Sequence, residues 1–216
     1  MSGPCHAGVW GSMLPHDNLC RTIREILGAR TPRTIENPGS AHPHAAVLVP
    51  LLDDKGVSKI LFTKRTDRVE HHKGEISFPG GAVDDGDRSA EETALREAHE
   101  EVGILPRDVE ILGRLDDFLT MVSSFIVHPV VGRVPFPYDF VINRAEVARL
   151  ILVPLEVFKP GRPGSNGNFP VEYRGVTYRS VAYEYEGDVI WGATARIMQK
   201  FMDLVGDKID LPAGKK

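Results

Sequence analysis

The sequence predicts an α/β sandwich, because strand-like runs alternate irregularly with helix-like ones, the composition is that of a globular chain, and an amphipathic acidic helix stands between two glycines. Hydrophobic residues make up 42% and charged residues 26% of the 216 positions, so the chain can bury one full core and is short for two. The net charge of -4 argues against a nucleic acid polymer as partner. A small phosphorylated ligand remains compatible once a divalent cation bridges the like charges.

In chain order, residues 1 to 16 are rich in Gly, Pro and His without any period and read as a flexible leader, with Met13 an alternative start. The helix expected over 17–27 places Leu19, Ile23, Ile26 and Leu27 on one face, and Gly28 can stop it. A Pro-rich link from Thr31 to His44 leads to a strand from Ala45 to Leu52. Asp53-Asp54-Lys55-Gly56 then reads as a hairpin turn into Lys59 to Thr63. Glycine and acid cluster from Gly74 to Asp87, ahead of a helix from Ala90 to Val102. Val109 to Leu115 and Phe125 to Val134 read as strands, and Arg144 to Leu150 as a short helix carrying Glu146 and ending near Pro154. Lys159 to Asn168 reads as a long loop. Strands at Val176 to Arg179 and Val181 to Tyr185 precede the last helix, Ala193 to Val205, with Trp191 placed in the core. There is no repeat, so 17–216 is expected to be one domain with its core over about 45–205.

Cys5 and Cys20 are too few for a disulfide framework or a thiolate metal site and suit a reducing compartment. No apolar run approaches the ~18 residues of a membrane span, no signal peptide is visible, and Gly214-Lys215-Lys216 is not an organelle address. The expectation is a cytoplasmic protein with no membrane partner.

The helix over 90–102 carries the chemistry. Ser89 suits the N-cap, Glu92 completes a capping box, and Gly103 can take the left-handed C′ position. Ala94, Leu95, Ala98 and Val102 can pack on a sheet, while Glu97, Glu100 and Glu101 gather on another arc. Carboxylates three and four positions apart repel, and those nearest the C-terminus also oppose the helix dipole. A bare ExxEE on a helix is more often a solvated acidic face. Here Phe78-Pro79-Gly80-Gly81 reads as a glycine turn able to approach phosphate, and Arg96 can orient a neighbouring carboxylate. Three carboxylates with waters suit Mg²⁺ or Mn²⁺. His71 and His72 read as exposed loop residues, and Ser123 and Ser124 lack a His/Asp pattern for nucleophilic catalysis.

The run FPGGAVDDGDRSAEETALREAHEEVGI, Phe78 to Ile104, resembles the Nudix box, GX5EX7REUXEEXGU. Gly81, Arg96, Glu97, Glu100, Glu101, Gly103 and Ile104 have counterparts, and Ala98 holds the small apolar position. Asp87 replaces the first glutamate, and the interval to Arg96 is one residue longer than the pattern. That longer interval is typical of the coenzyme A diphosphatase branch, whose upstream motif Leu61, Thr63, Arg65, Gly74 and Phe78 to Gly81 match in register. Phe62, Thr66 and Glu70 depart from it, and Glu70 stands where the branch often has arginine, with Arg68 and Lys73 nearby. Ser123 to Gly132, Asn143 to Pro154 and Trp191 to Arg196 are also similar to branch members.

The resemblance implies an α/β/α sandwich around a mixed sheet with a loop-helix-loop catalytic motif. It implies attack of water on a phosphorus of coenzyme A or acyl-coenzyme A, with Mg²⁺ or Mn²⁺ as cofactor. Carried over by position, Glu97, Glu100 and Arg96 are the catalytic residues, and Glu97, Glu100 and Glu101 the metal residues. Arg65, Gly80 and Gly81 touch substrate. Glu100 or an acid outside the box accepts the proton. Glu146 itself reads first as a solvated surface residue and only second as an auxiliary acid. A broader hydrolase of ADP-ribose, dinucleotides or nucleoside triphosphates stays open, as does a Nudix-fold regulator that binds a nucleotide without cutting it. The expected partner is a small nucleotide, and a homodimer is an assembly open to the chain.

Overall fold

The computed structural model describes residues 15–66, 74–120, 123–161, 169–173 and 175–209. Arg68, Glu70, His71, His72 and Lys73, like Cys5, Met13 and most of the 159–168 loop, lie outside the described residues. Helix α1 (Pro15–Gly28) begins two residues before its expected start, and His16 is buried within it. Strands β1 (His44–Asp54) and β2 (Val57–Arg65) form the expected hairpin, with Lys55 and Gly56 both at positive φ in its turn. Next come β3 (Ile76–Ser77), β4 (Gly80–Ala82), helix α2 (Ala90–Val102), β5 (Glu110–Arg114), β6 (Phe118–Leu119) and β7 (Ile126–Arg133). The chain continues as β8 (Val147–Pro154), β9 (Phe169–Tyr173), β10 (Val176–Ser180), β11 (Ala182–Tyr185), β12 (Asp188–Trp191) and helix α3 (Gly192–Val205).

One eight-stranded sheet organises these elements in the order β3-β2-β1-β7-β5, with β4 beside β1, β6 beside β7 and β8 beside β2. β1 and β7 run parallel while the other pairs are antiparallel, so the sheet is mixed. β1 is buried along most of its length because both faces are covered, which is why it reads as a nearly continuous apolar run. One face, with Val49, Ile60, Phe62, Val131 and Val153, joins a core shared with Leu19 and Ile23 of α1 and Met198 and Phe201 of α3. The other, with Ala46, Leu48, Leu61 and Val130, meets Ala94, Ala98 and Val102 of α2. The result is the expected α/β/α sandwich. Among the described residues no helix is long and apolar enough to cross a membrane.

Three expectations need correction. The segment from Arg144 to Leu150 is not a helix. Asn143 closes a single turn by accepting from Ala145 N at 3.1 Å, and the chain then enters β8, antiparallel to β2. The aliphatic run Val147 to Val153 is helix-compatible alone, but it gains a full ladder and a buried face as a strand. Glu146 therefore sits on a turn. Secondly, Phe78 to Gly81 is not a free glycine turn, because Gly80 to Ala82 pair with β1. Lastly, Trp191 is only partly buried and occupies the N-cap position of α3.

The Pro-rich link is pinned to the sheet by polar contacts. Asn37 Nδ2 stands 3.0 Å from His44 Nε2, His44 Nδ1 is 2.9 Å from His128 Nε2, and His128 Nδ1 is 2.7 Å from buried Asp117. His44 opens β1, and its carbonyl accepts from Val83 N at 3.0 Å, so this chain of contacts also steadies the loop leading to α2.

Candidate active site

Helix α2 has the expected bounds. Ser89 Oγ accepts from Glu92 N at 3.2 Å, and Gly103 takes the left-handed conformation at φ 74°. The reciprocal half of the capping box is displaced, since Glu92 Oε2 accepts from Arg88 N at 2.8 Å in place of Ser89 N. Gly103 is required on a second ground: a Cβ there would stand 2.8 Å from Val141, whose N–H donates to Val102 O as 134–143 wraps the helix end.

The buried arc of α2 is Thr93, Ala94, Ala98, Glu101 and Val102, with Leu95 only partly buried. At about 100° per residue Glu101 lies roughly 20° from Ala94 around the helix, so it shares the sheet-facing stripe. Glu101 is 2% exposed, Glu97 is largely covered and Glu100 projects outward. The three carboxylates expected on one arc thus separate into a buried, a covered and an exposed one.

Strand β4 fits this arrangement closely. A Cβ on Gly81 would lie 2.4 Å from Glu97 Oε2, so a larger residue would push that carboxylate off the strand. The neighbouring Gly80 N–H donates to Glu101. The two glycines named as substrate contacts therefore shape the carboxylate pair directly.

Arg96 is committed to the loop side of the helix. It donates to Asp87 through Nη2 at 2.9 Å and Nε at 3.1 Å, to Glu97 Oε1 at 2.6 Å and to Ala82 O at 3.0 Å. Glu100 Oε2 lies 3.5 Å from its Nη1. Hydrogen bonds from Arg96 hold the Asp87 carboxyl far below the usual carboxylate range. Asp87 also accepts from Thr93 Oγ1 at 2.9 Å and Asp84 N at 3.0 Å, so the shorter acid standing in the box position is fully used.

Arg65, at the end of β2, faces Glu101 from the other side, with Nη1 3.6 Å from Oε1. That exceeds hydrogen-bond length. Among the described residues, Arg65 Nε and Glu101 Oε2 are both buried and have no hydrogen-bond partner. Burial pushes the Glu101 carboxyl up to about 8; Arg65 opposes the rise, while Glu146 and Glu97 add to it. Burial also raises Glu97, against the pull of Arg96 and with a push from Glu100 and Glu146. Glu146 accepts from Asn143 Nδ2 at 3.1 Å and is near enough to act on both acids. On a helix over 144–150, Glu146 reads mainly as a solvated surface residue; the Asn143 turn signal, followed by a β-branched aliphatic run, was the feature that could have placed it beside the two acids.

Among the described residues no three acidic, His or Cys side chains already converge as a metal cage. The donors nonetheless fit a hard divalent cation. They are all oxygens, Glu101 Oε2 lacks a partner, and two adjacent carboxylates carry charge that burial disfavours.

A profile of the NUDIX domain matches residues 42–169. The protein named Uncharacterized Nudix hydrolase NudL of Yersinia enterocolitica is 38% identical over 189 residues, spanning 86% of this chain and 94% of its own. Its namesake in Pectobacterium atrosepticum is 40% identical over 167 residues, spanning 76% and 83%. A crystal structure of a MutT/nudix family protein from Enterococcus faecalis superposes on 93% of this chain and 76% of its own, with a TM-score of 0.55 at 16% identity, a likeness of fold alone.

Proposed function

This chain belongs to the Nudix hydrolase family and is a diphosphatase, and from that premise we propose that it cleaves coenzyme A or acyl-coenzyme A to 3′,5′-ADP and (acyl-)4′-phosphopantetheine. The observation that carries the reading is the incomplete Arg65–Glu101 pair: among the described residues, a buried carboxylate oxygen and a neighbouring buried guanidinium N–H that both lack a hydrogen-bond partner. A cation-bound diphosphate supplies both partners. Support for coenzyme A comes from the upstream segment, where Leu61 and Thr63 are buried in β2 and place Arg65 at the carboxylates.

The family generally uses divalent cations, and Glu97 and Glu101 are the residues that would hold Mg²⁺ or Mn²⁺ here, with the exposed Glu100 sharing or supporting the site. When bound, the cation withdraws charge from the diphosphate and acidifies water. Arg96 and the Gly81 backbone fix the Glu97 carboxylate, which keeps one oxygen aimed without reorganisation. Glu100 or Glu146 accepts the proton of the attacking water. Arg65 orients the nucleotide side of the diphosphate.

The test is a turnover screen of the purified protein against coenzyme A, dephospho-coenzyme A, ADP-ribose, NADH and nucleoside triphosphates, with Mg²⁺ and with Mn²⁺. Coenzyme A is expected to give the highest kcat/KM. A preference for ADP-ribose by about tenfold or more overturns the coenzyme A assignment. Cleavage of none of them favours nucleotide binding without hydrolysis.

A further inference from the structure

We propose that Arg65 is a displaceable counter-ion. It holds Glu101 in place until a divalent cation takes that carboxylate, and its guanidinium then turns to a phosphoryl oxygen of the nucleotide. Cation binding and nucleotide binding become coupled through one side chain. The inference rests on the cation site proposed above and concerns how Arg65 responds to it.

The contact is poised and unfinished. At 3.6 Å the charges attract without a hydrogen bond, and each partner keeps a buried polar atom unused. A settled structural pair would satisfy both, as Arg96 and Asp87 do. A buried donor left unpaired is unfavourable, so the arrangement suits an added acceptor.

Backbone hydrogen bonds hold the chain beneath Arg65. Arg65 N donates to Glu75 O at 2.9 Å, and Thr66 N to Glu146 O at 2.8 Å. Thr66 Oγ1 adds a bond to Ala145 O at 3.0 Å. The β2–β8 register shifts between Lys64 and Arg65, an irregularity that re-aims a side chain at a strand end. Lys64 turns to the opposite face and pairs with Asp188 at 3.1 Å, so it does not compensate for movement of Arg65. A cation at Glu101 would repel the guanidinium at this distance, and the unpaired Nε–H would then find its acceptor on a phosphate.

The experiment is Mn²⁺ binding by titration calorimetry on the full chain, without nucleotide and with AMP, alongside thermal melts. In the unaltered protein AMP should tighten Mn²⁺ binding severalfold. Arg65→Met should bind Mn²⁺ alone more tightly, by about threefold or more, and should lose the effect of AMP, since coupling is reciprocal. A purely structural role would instead weaken Mn²⁺ binding. Arg65→Lys keeps the charge but lacks the Nε–H, so Mn²⁺ affinity should stay within about twofold while the AMP effect falls. Arg65→Met that melts normally yet binds Mn²⁺ no better than the unaltered protein overturns the proposal. If Arg65→Met does not fold, an undiminished AMP effect in Arg65→Lys overturns it. Absence of Mn²⁺ binding in the unaltered protein overturns the cation site as well.

Discussion

On the loop side of α2, Arg96 meets both oxygens of Asp87, one of Glu97 and the carbonyl of Ala82, all within 3.1 Å. On the sheet side, Arg65 stands 3.6 Å from Glu101, and each leaves a buried atom without a partner among the described residues. Both contacts join an arginine to a carboxylate beside one helix, yet the first depresses its acid and the second leaves its acid raised to about 8. The difference separates scaffold from site. The hydrogen bonds of Arg96 hold the loop to the helix and fix one oxygen of Glu97. Beside Arg65 lies the buried carboxylate proposed to take a cation.

The largest expected effect lies at the two carboxylates proposed to hold the cation, one on each side. Glu101→Gln and Glu97→Gln should each lose several orders of magnitude in kcat with Mg²⁺ or Mn²⁺ while remaining folded. Because each change removes a carboxylate that burial disfavours, the apo melting temperature should hold or rise. Near-normal turnover in either variant would remove that residue from the proposed cation site.

A smaller effect belongs to the saturated side. Arg96→Met strands Asp87 and Glu97 together, and should cost roughly 2 kcal/mol, or about 4–8 °C in melting temperature, for a chain of this size. An unchanged melt would show that Arg96 serves catalysis alone.

The smallest effect is a pH slope that sets the two sides against each other. Glu101 is raised in the fold to about 8 from a free value near ~4.3, so between those values the native state binds more protons than the unfolded one. Its contribution to apo stability is therefore present at low pH and lost as pH rises toward 8. Asp87 is depressed, so its contribution is present above ~3.9 and lost as pH falls through its lower folded value. Melts of the apo protein from pH 5 to about 8 should decline by several degrees, and Glu101→Gln should flatten that decline. Mn²⁺ should raise the melting temperature most at the alkaline end. A flat profile in the unaltered protein would mean that Arg65 neutralises Glu101 more fully than their separation suggests.

Much of this molecule was legible from local chemistry. Ser89 and Gly103 bound α2 because capping depends on residues a few positions apart, and the Asp53-Asp54-Lys55-Gly56 turn and the apolar runs of β1 and β7 are equally local. The spacing of Arg96, Glu97, Glu100 and Glu101 is written in the chain, and so is the family resemblance. Tertiary packing decided the rest. It drew Val147 to Pro154 into a strand, since a ladder with β2 outweighs a weak helical preference. It rotated Glu101 under the sheet and left Glu100 outside, because helix orientation follows the summed burial of Ala94, Ala98 and Val102. Gly81 became a space for Glu97, and Arg65 met Glu101 across 36 positions of sequence, by contacts that exist only once β2, β4 and α2 are assembled. The sequence by itself determined which acids, arginines and glycines the motif contains. Which of them are buried, paired or left waiting for a partner was decided by three-dimensional packing, because desolvation and charge separation depend on distances that no local spacing encodes.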